Sequence, residues 1–229
     1  VKSSVYLMFP TAVTSHECER HSEFKDIFLK RMPEHCAEHE SGGIYSGEAS
    51  GHVYVHTDEH LKDLFSFIGD GIRSHLEAID FDHSRVDIYI VKTWISVTDT
   101  NTVTPVHAHA TSHLSFVYYM QMPENADGLG FQILKNPNEM FYGAFSASTP
   151  RQKSLINEYN HLNANQYVVR SQEGQLLVFP SDLAHGTVKF GDMGSTQRIA
   201  IAGDVLLVFN EEMPNYATGV FNPASWRRF

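Results

Sequence analysis

The chain has 229 residues, 42% of them hydrophobic and 19% charged, a globular composition long enough to bury a core without disulfides or a structural metal. Lys and Arg number 17 against 27 Asp and Glu, a net charge of −10. That balance argues against nucleic acid as a partner, since phosphates call for a basic footprint, and against anionic membrane surfaces. No apolar run approaches the roughly 18 residues of a membrane span. Two cysteines, Cys18 and Cys36, are too few for a disulfide framework and read as reduced thiols of a cytoplasmic protein. The chain starts at Val1 rather than Met, so a trimmed start is expected, and Val1–Ser4 has no signal-peptide pattern.

In chain order, Ser22–Cys36 carries Phe24, Ile27, Phe28 and Met32 at helical spacing, with Ser22 as N-cap. Thr57–Ile79 is a stronger helix. Leu61, Leu64, Phe65, Ile68, Ile72, Leu76 and Ile79 form one stripe, and Thr57 or Asp58 can cap it. From Asp80 the texture becomes β. Strands are expected at Val86–Ser96, Val103–His109, Leu114–Gln121, Gly130–Leu134, Tyr167–Arg170, Gln175–Phe179, Thr187–Phe190 and Arg198–Phe209, separated by Gly, Asn, Asp and Pro turns. Eight strands after two helices predict a mainly β fold, a jelly roll with helices on one outer face. The expected organisation is one domain over 1–229: helical support at 1–85, a β core at 86–209 and a tail at 210–229. The long polar segment Asn136–Asn165 is expected to be a mobile lid, with Phe141 and Tyr142 facing substrate.

Three features sit at intervals that suit one site. In a strand, positions i and i+2 share a face, so His107 and His109 of Pro105-Val-His-Ala-His109 project together. The apolar strand before Pro180-Ser-Asp-Leu-Ala-His185 ends in a turn that delivers a third imidazole, a ligand suited to Fe, Zn, Cu or Ni. Arg198 opens the apolar strand Arg198-Ile-Ala-Ile-Ala202, where a buried guanidinium calls for an anion. Each has a plainer reading: a surface HxH, a solitary His after a strand, and a rim Arg with its head in water. Their joint order favours a site.

With these residues in hand, the chain resembles the iron(II)/2-oxoglutarate (2OG)-dependent oxygenases, within them a group of small 2OG-Fe(II) oxygenases. The likeness rests on Met8-Phe-Pro-Thr11, Trp94, Leu114-Ser-Phe-Val-Tyr-Tyr119, Gly174-Gln-Leu-Leu-Val-Phe-Pro-Ser-Asp-Leu-Ala-His185 and Arg198-Ile-Ala-Ile201. It implies a double-stranded β-helix with Fe(II) as metal, 2OG as cosubstrate and O2. His107 matches the first ligand of the HxD/E pattern and His185 the distal His. Arg198 and Tyr119, with Ser115 on the same strand face as Tyr119, are implied to hold 2OG, Arg198 and Tyr119 by its far carboxylate. The activity implied is hydroxylation of a substrate with release of succinate and CO2.

One position departs from that pattern. Where the family carries Asp or Glu, this chain has His109. Either the metal takes three neutral His ligands, which the spacing favours, or a carboxylate arrives from elsewhere, with Asp204 on the face of Arg198, Ala200 and Ala202 as candidate. Two rival readings stay open: a cupin-like metal-dependent dioxygenase or isomerase that does not use 2OG, and a non-catalytic jelly-roll binding module. The substrate, small molecule or peptide, is not legible in the sequence, and a homodimer is left open.

Overall fold

From Leu114 to Gln121 every residue but the last is buried, and the strand alternates between two apolar faces. Phe116, Tyr118 and Met120 point one way and Val117 and Tyr119 the other, into two separate cores. A strand apolar on both faces must be covered on both sides, and this requirement organises the molecule. The computed structural model describes residues 2–36, 45–46, 53–98, 103–124, 126, 128–141, 143–145, 155–188, 196–210 and 226–227. Its elements in chain order are β1 (Thr14–Glu17), α1 (His21–His35), β2 (Tyr45–Ser46), α2 (Lys62–Ala78), β3 (Val86–Thr98), β4 (Leu114–Gln121), β5 (Leu129–Gln132), β6 (Gln166–Val169), β7 (Gln175–Pro180), β8 (His185–Thr187) and β9 (Arg198–Phe209), with short 3-10 turns before α2 and β3.

Six strands form a major sheet in the order β1-β7-β4-β9-β3-β2, and three form a minor sheet in the order β6-β5-β8. Every pairing within the sheets is antiparallel. The outer face of the major sheet, including Tyr118, Leu176, Val178, Ile199 and Ile201, packs against Phe24 and Phe28 of α1 and the Leu64–Leu76 stripe of α2. The inner face, including Val117, Tyr119, Leu177, Phe179 and Ala200, meets Leu129 and Phe131 of the minor sheet. Two facing antiparallel sheets with helices on one outer side form the expected jelly roll, the double-stranded β-helix fold.

Local chemistry sets the helix boundaries. α1 begins at His21, so Ser22 lies inside it; the N-cap position is Arg20, which makes no side-chain cap. Arg20 instead bonds Glu23 in the first turn, Nη2 to Oε1 at 2.7 Å. Asp58, by contrast, does cap: its carboxylate accepts from the His60 amide at 2.9 Å in the turn that leads into α2. The same side chain accepts from Arg31 Nε at 2.8 Å and His35 Nε2 at 2.9 Å, which ties α1 to the start of α2. Burial pushes the Asp58 carboxyl up, but these three bonds outweigh it and hold its pKa at about 2.

Val103–His109 is not a strand; among the described residues its pairing is an isolated bridge between His107 and His185. Pro105 lacks the N–H that a ladder needs. The strand expected at Thr187–Phe190 is instead His185–Thr187, with 189 and 190 outside the described residues. β1, Thr-Ser-His-Glu, escaped the sequence reading because it carries no apolar residue, yet it pairs with Gln175–Val178 at the sheet edge. No helix among the described residues is long and apolar enough to cross a membrane.

Candidate active site

Between the sheets lies a cavity of about 250 Å³. His107, His109 and His185 line it together with Trp94, Arg198 and Ala200. Backbone bonds bring the histidines there from two loops. His107 and His185 exchange N–H···O bonds in both directions, at 2.9 and 2.8 Å, and the His109 amide donates to the Ser181 carbonyl at 2.8 Å. The separation expected from strand alternation is thus met without a strand: the His107 and His109 rings stack with centroids 5.0 Å apart and 24° between planes. The three imidazoles offer ligand atoms that all lie within 4.8 Å of one another.

The tautomers follow from the partners. Nδ1–H of His107 donates to the Pro105 carbonyl at 2.8 Å, and Nδ1–H of His185 to the Leu183 carbonyl at 2.7 Å. A carbonyl oxygen only accepts, so the proton sits on Nδ1 and the Nε2 lone pair is left for an ion. His109 Nδ1–H donates to Asp204 Oδ1 at 2.5 Å, with the same consequence. Burial, aided by the neighbouring His107 and His109, pushes the His185 pKa down to about 4, which keeps the ring neutral and able to ligate near pH 7. The donor set therefore fits a first-row transition metal.

Asp204 is not among the converging ligand atoms; it stands behind His109. Burial pushes its carboxyl up, but the bonds from His109 and Ser115 outweigh it and hold it below the usual carboxylate range. Ser115, assigned from the sequence to the cosubstrate, lines the cavity but spends its hydroxyl on Asp204 at 3.0 Å and Ser181 at 2.9 Å.

Arg198 lines another stretch of the same cavity. It is 2% exposed, and its Nε has no hydrogen-bond partner among the described residues. Its guanidinium carbon lies 5.0 Å from the centroid of the Tyr119 ring. The buried Tyr119 hydroxyl and the Thr98 Oγ1, from the residue opposite Arg198 in the β3–β9 ladder, are also without partners among the described residues. Of these residues Arg198 lines the cavity, and a buried guanidinium there fits an anion such as the far carboxylate of 2OG. Tyr119 does not itself line the cavity, so its ring supports Arg198 rather than forming the wall. Ala200 and Ala202, on the face of Arg198, line the cavity and leave space beside the guanidinium.

None of the described residues of Asn136–Asn165 lines this cavity. The segment's Asn side chains close on its own backbone instead: Asn136 Nδ2 donates to the Ala164 carbonyl and Asn138 Nδ2 to that of Leu162. Phe141 is 66% exposed and does not line the cavity; Tyr142 lies outside the described residues.

Comparison with known proteins agrees with this geometry. Residues 92–204 match the family described as "Putative 2OG-Fe(II) oxygenase". No curated protein matches the chain. Among solved structures, the non-heme alpha-ketoglutarate-dependent carbocyclase SnoK of nogalamycin biosynthesis aligns with a TM-score of 0.52 at 10% identity, covering 87% of this chain and 82% of its own. A Trichoplax adhaerens prolyl hydroxylase, solved with a hypoxia-inducible-factor peptide, gives 0.51 at 11%, covering 87% and 84%. A Pseudomonas putida prolyl-4-hydroxylase gives 0.50 at 11%, covering 85% and 92%. At such identities these likenesses concern the fold. The family match supplies the rest: residues 92–204 carry a 2OG-Fe(II) oxygenase domain, an oxidoreductase whose cofactors are iron(II), 2OG and O2.

Proposed function

We propose that the protein is a dioxygenase that hydroxylates a C–H bond of a substrate with release of succinate and CO2. The observation that carries this reading is the placement, on one cavity, of three imidazoles with free Nε2 atoms and a buried guanidinium whose Nε has no partner among the described residues. His107, His109 and His185 would hold the iron and Arg198 the far carboxylate of 2OG. When bound, the iron and 2OG supply the oxidising chemistry, in which O2 is consumed and 2OG becomes succinate and CO2.

The chain's own residues bind, orient and exclude water. The carbonyls of Pro105 and Leu183 and the carboxylate of Asp204 fix the tautomer and orientation of the three rings before an ion enters. Arg198 gives a dicarboxylate one orientation, because a guanidinium in a mostly apolar wall pairs with one end of it only. Ala200 and Ala202 leave the room, and Leu129 and Phe179 keep that room dry.

The test is a screen for compounds, small molecules and peptides alike, that raise succinate formation above the basal rate of the iron-loaded protein. The proposal expects at least one compound to do so and to be recovered heavier by one oxygen atom. Recovery of the stimulating compounds desaturated, cyclised or epimerised, with no oxygen gained, would replace hydroxylation with another outcome.

A further inference from the structure

A divalent ion on three neutral imidazoles keeps its whole charge, whereas two His and one carboxylate cancel one unit of it. The chain buries one carboxylate at this site, and it touches a ligand rather than the ligand cluster. Asp204 is 5% exposed, and its Oδ1 accepts from His109 Nδ1–H at 2.5 Å and from Ser115 Oγ–H at 3.0 Å. Ser115 is held in turn by Ser181, 2.9 Å away, which also accepts from Ser112 at 2.9 Å. The other two rings lack such support, since His107 and His185 donate to neutral backbone carbonyls.

We infer that Asp204 is a positioning residue that supplies the site's negative charge through His109, so that the carboxylate of the usual triad is retained one bond further out. The inference rests on the three-His reading of the metal site. A carboxylate on Nδ1–H fixes the ring and raises the basicity of Nε2, and loss of such a partner typically weakens metal binding about 10–100-fold. Register supports the assignment. Asp204 lies opposite Ser115 in the β4–β9 ladder and shares its strand face with Arg198, so β9 anchors both parts of the site. Asp204 meets the ring at Nδ1, the nitrogen that carries the proton, and is therefore not placed as a fourth ligand.

The experiment is a Co(II) titration of the metal-free protein, followed by visible d–d absorption, with the melting temperature of each metal-free variant measured alongside. His185→Ala tests the underlying reading: it should abolish tight binding, and if binding survives unchanged both claims fall. Asp204→Asn keeps the size and an acceptor but removes the charge. It should weaken Co(II) binding about 10–100-fold and shift the absorption bands. Binding within twofold of the wild type with unchanged bands, even if the metal-free variant melts lower, would reduce Asp204 to a packing role and overturn the inference. Should Asp204→Asn fail to fold, Ser115→Ala decides. Loss of one support of the carboxylate should weaken Co(II) severalfold, and an unchanged affinity would overturn the inference.

Discussion

Replacing Arg198 with Met should make the metal-loaded protein more stable in the absence of cosubstrate and almost blind to 2OG. The residue is 2% exposed and its Nε has no partner among the described residues, and a buried donor left unsatisfied costs about 1–3 kcal/mol. Methionine is close in length, can still lie against the Tyr119 ring, and carries no donor to satisfy. The variant should therefore gain about 1–3 kcal/mol, and for a chain of this length each kcal/mol raises the melting temperature by roughly 2–4 °C. Cosubstrate reverses the order. At one hundred times its Kd, a ligand that binds only the folded state stabilises it by about 2.7 kcal/mol, which the wild type should show and the variant should not. The lost affinity should amount to about 2–5 kcal/mol, the range for breaking a buried charge pair. Thermal melts of both proteins, with and without 2OG, read both effects. A lower melting temperature for Arg198→Met without 2OG would refute the reasoning about the orphaned donor. An equal 2OG shift in both proteins would place the carboxylate anchor elsewhere.

Other expectations follow from packing and charge. A Cβ at Gly186 would lie 2.8 Å from the Thr104 carbonyl oxygen and 3.1 Å from that of Pro105, so Gly186→Ala should displace the segment carrying His107. It should cost about 1–3 kcal/mol in chemical denaturation and lower metal affinity as well; a neutral result would mean that 104–107 yields freely. The Asp58 carboxyl titrates lower in the folded protein than its ordinary value of 3.8, at about 2. Its stabilising contribution, about 2 kcal/mol, is therefore complete above pH 4 and lost as pH falls from 4 to 2. Asp58→Asn should flatten that part of the stability–pH curve, and an unchanged acid limb would refute the assignment.

Long strands and the residues that alternate along them were legible in the sequence. β4 and β9 have the bounds their apolar patterns predict, and Arg198, Ala200 and Ala202 fall on the cavity side as alternation requires. Short edge elements were not: β1 has no apolar residue, and its place comes only from pairing with β7. The HxH segment gave the right histidines for a reason that needed changing, because the backbone bonds of His107 and His109 to His185 and Ser181 align the rings, not a strand. The sequence could nominate Asp204 but not its role, since ligand and ligand support differ by a single hydrogen bond between residues 95 positions apart. Phe141 was a candidate on composition alone, and the Asn side chains that close its segment on itself act through backbone contacts that no residue pattern announces.

The most direct measurement of the central claim is the fate of labelled dioxygen. The iron-loaded protein is incubated with 2OG under ¹⁸O2, and the succinate is analysed by mass spectrometry, with His185→Ala as the parallel sample. If the histidine cluster and Arg198 form the working site of a 2OG-dependent dioxygenase, the wild type yields succinate bearing one labelled oxygen atom and the variant yields none. Iron-loaded wild-type protein that consumes no 2OG, or His185→Ala that forms labelled succinate at the wild-type rate, would contradict the assignment of this site.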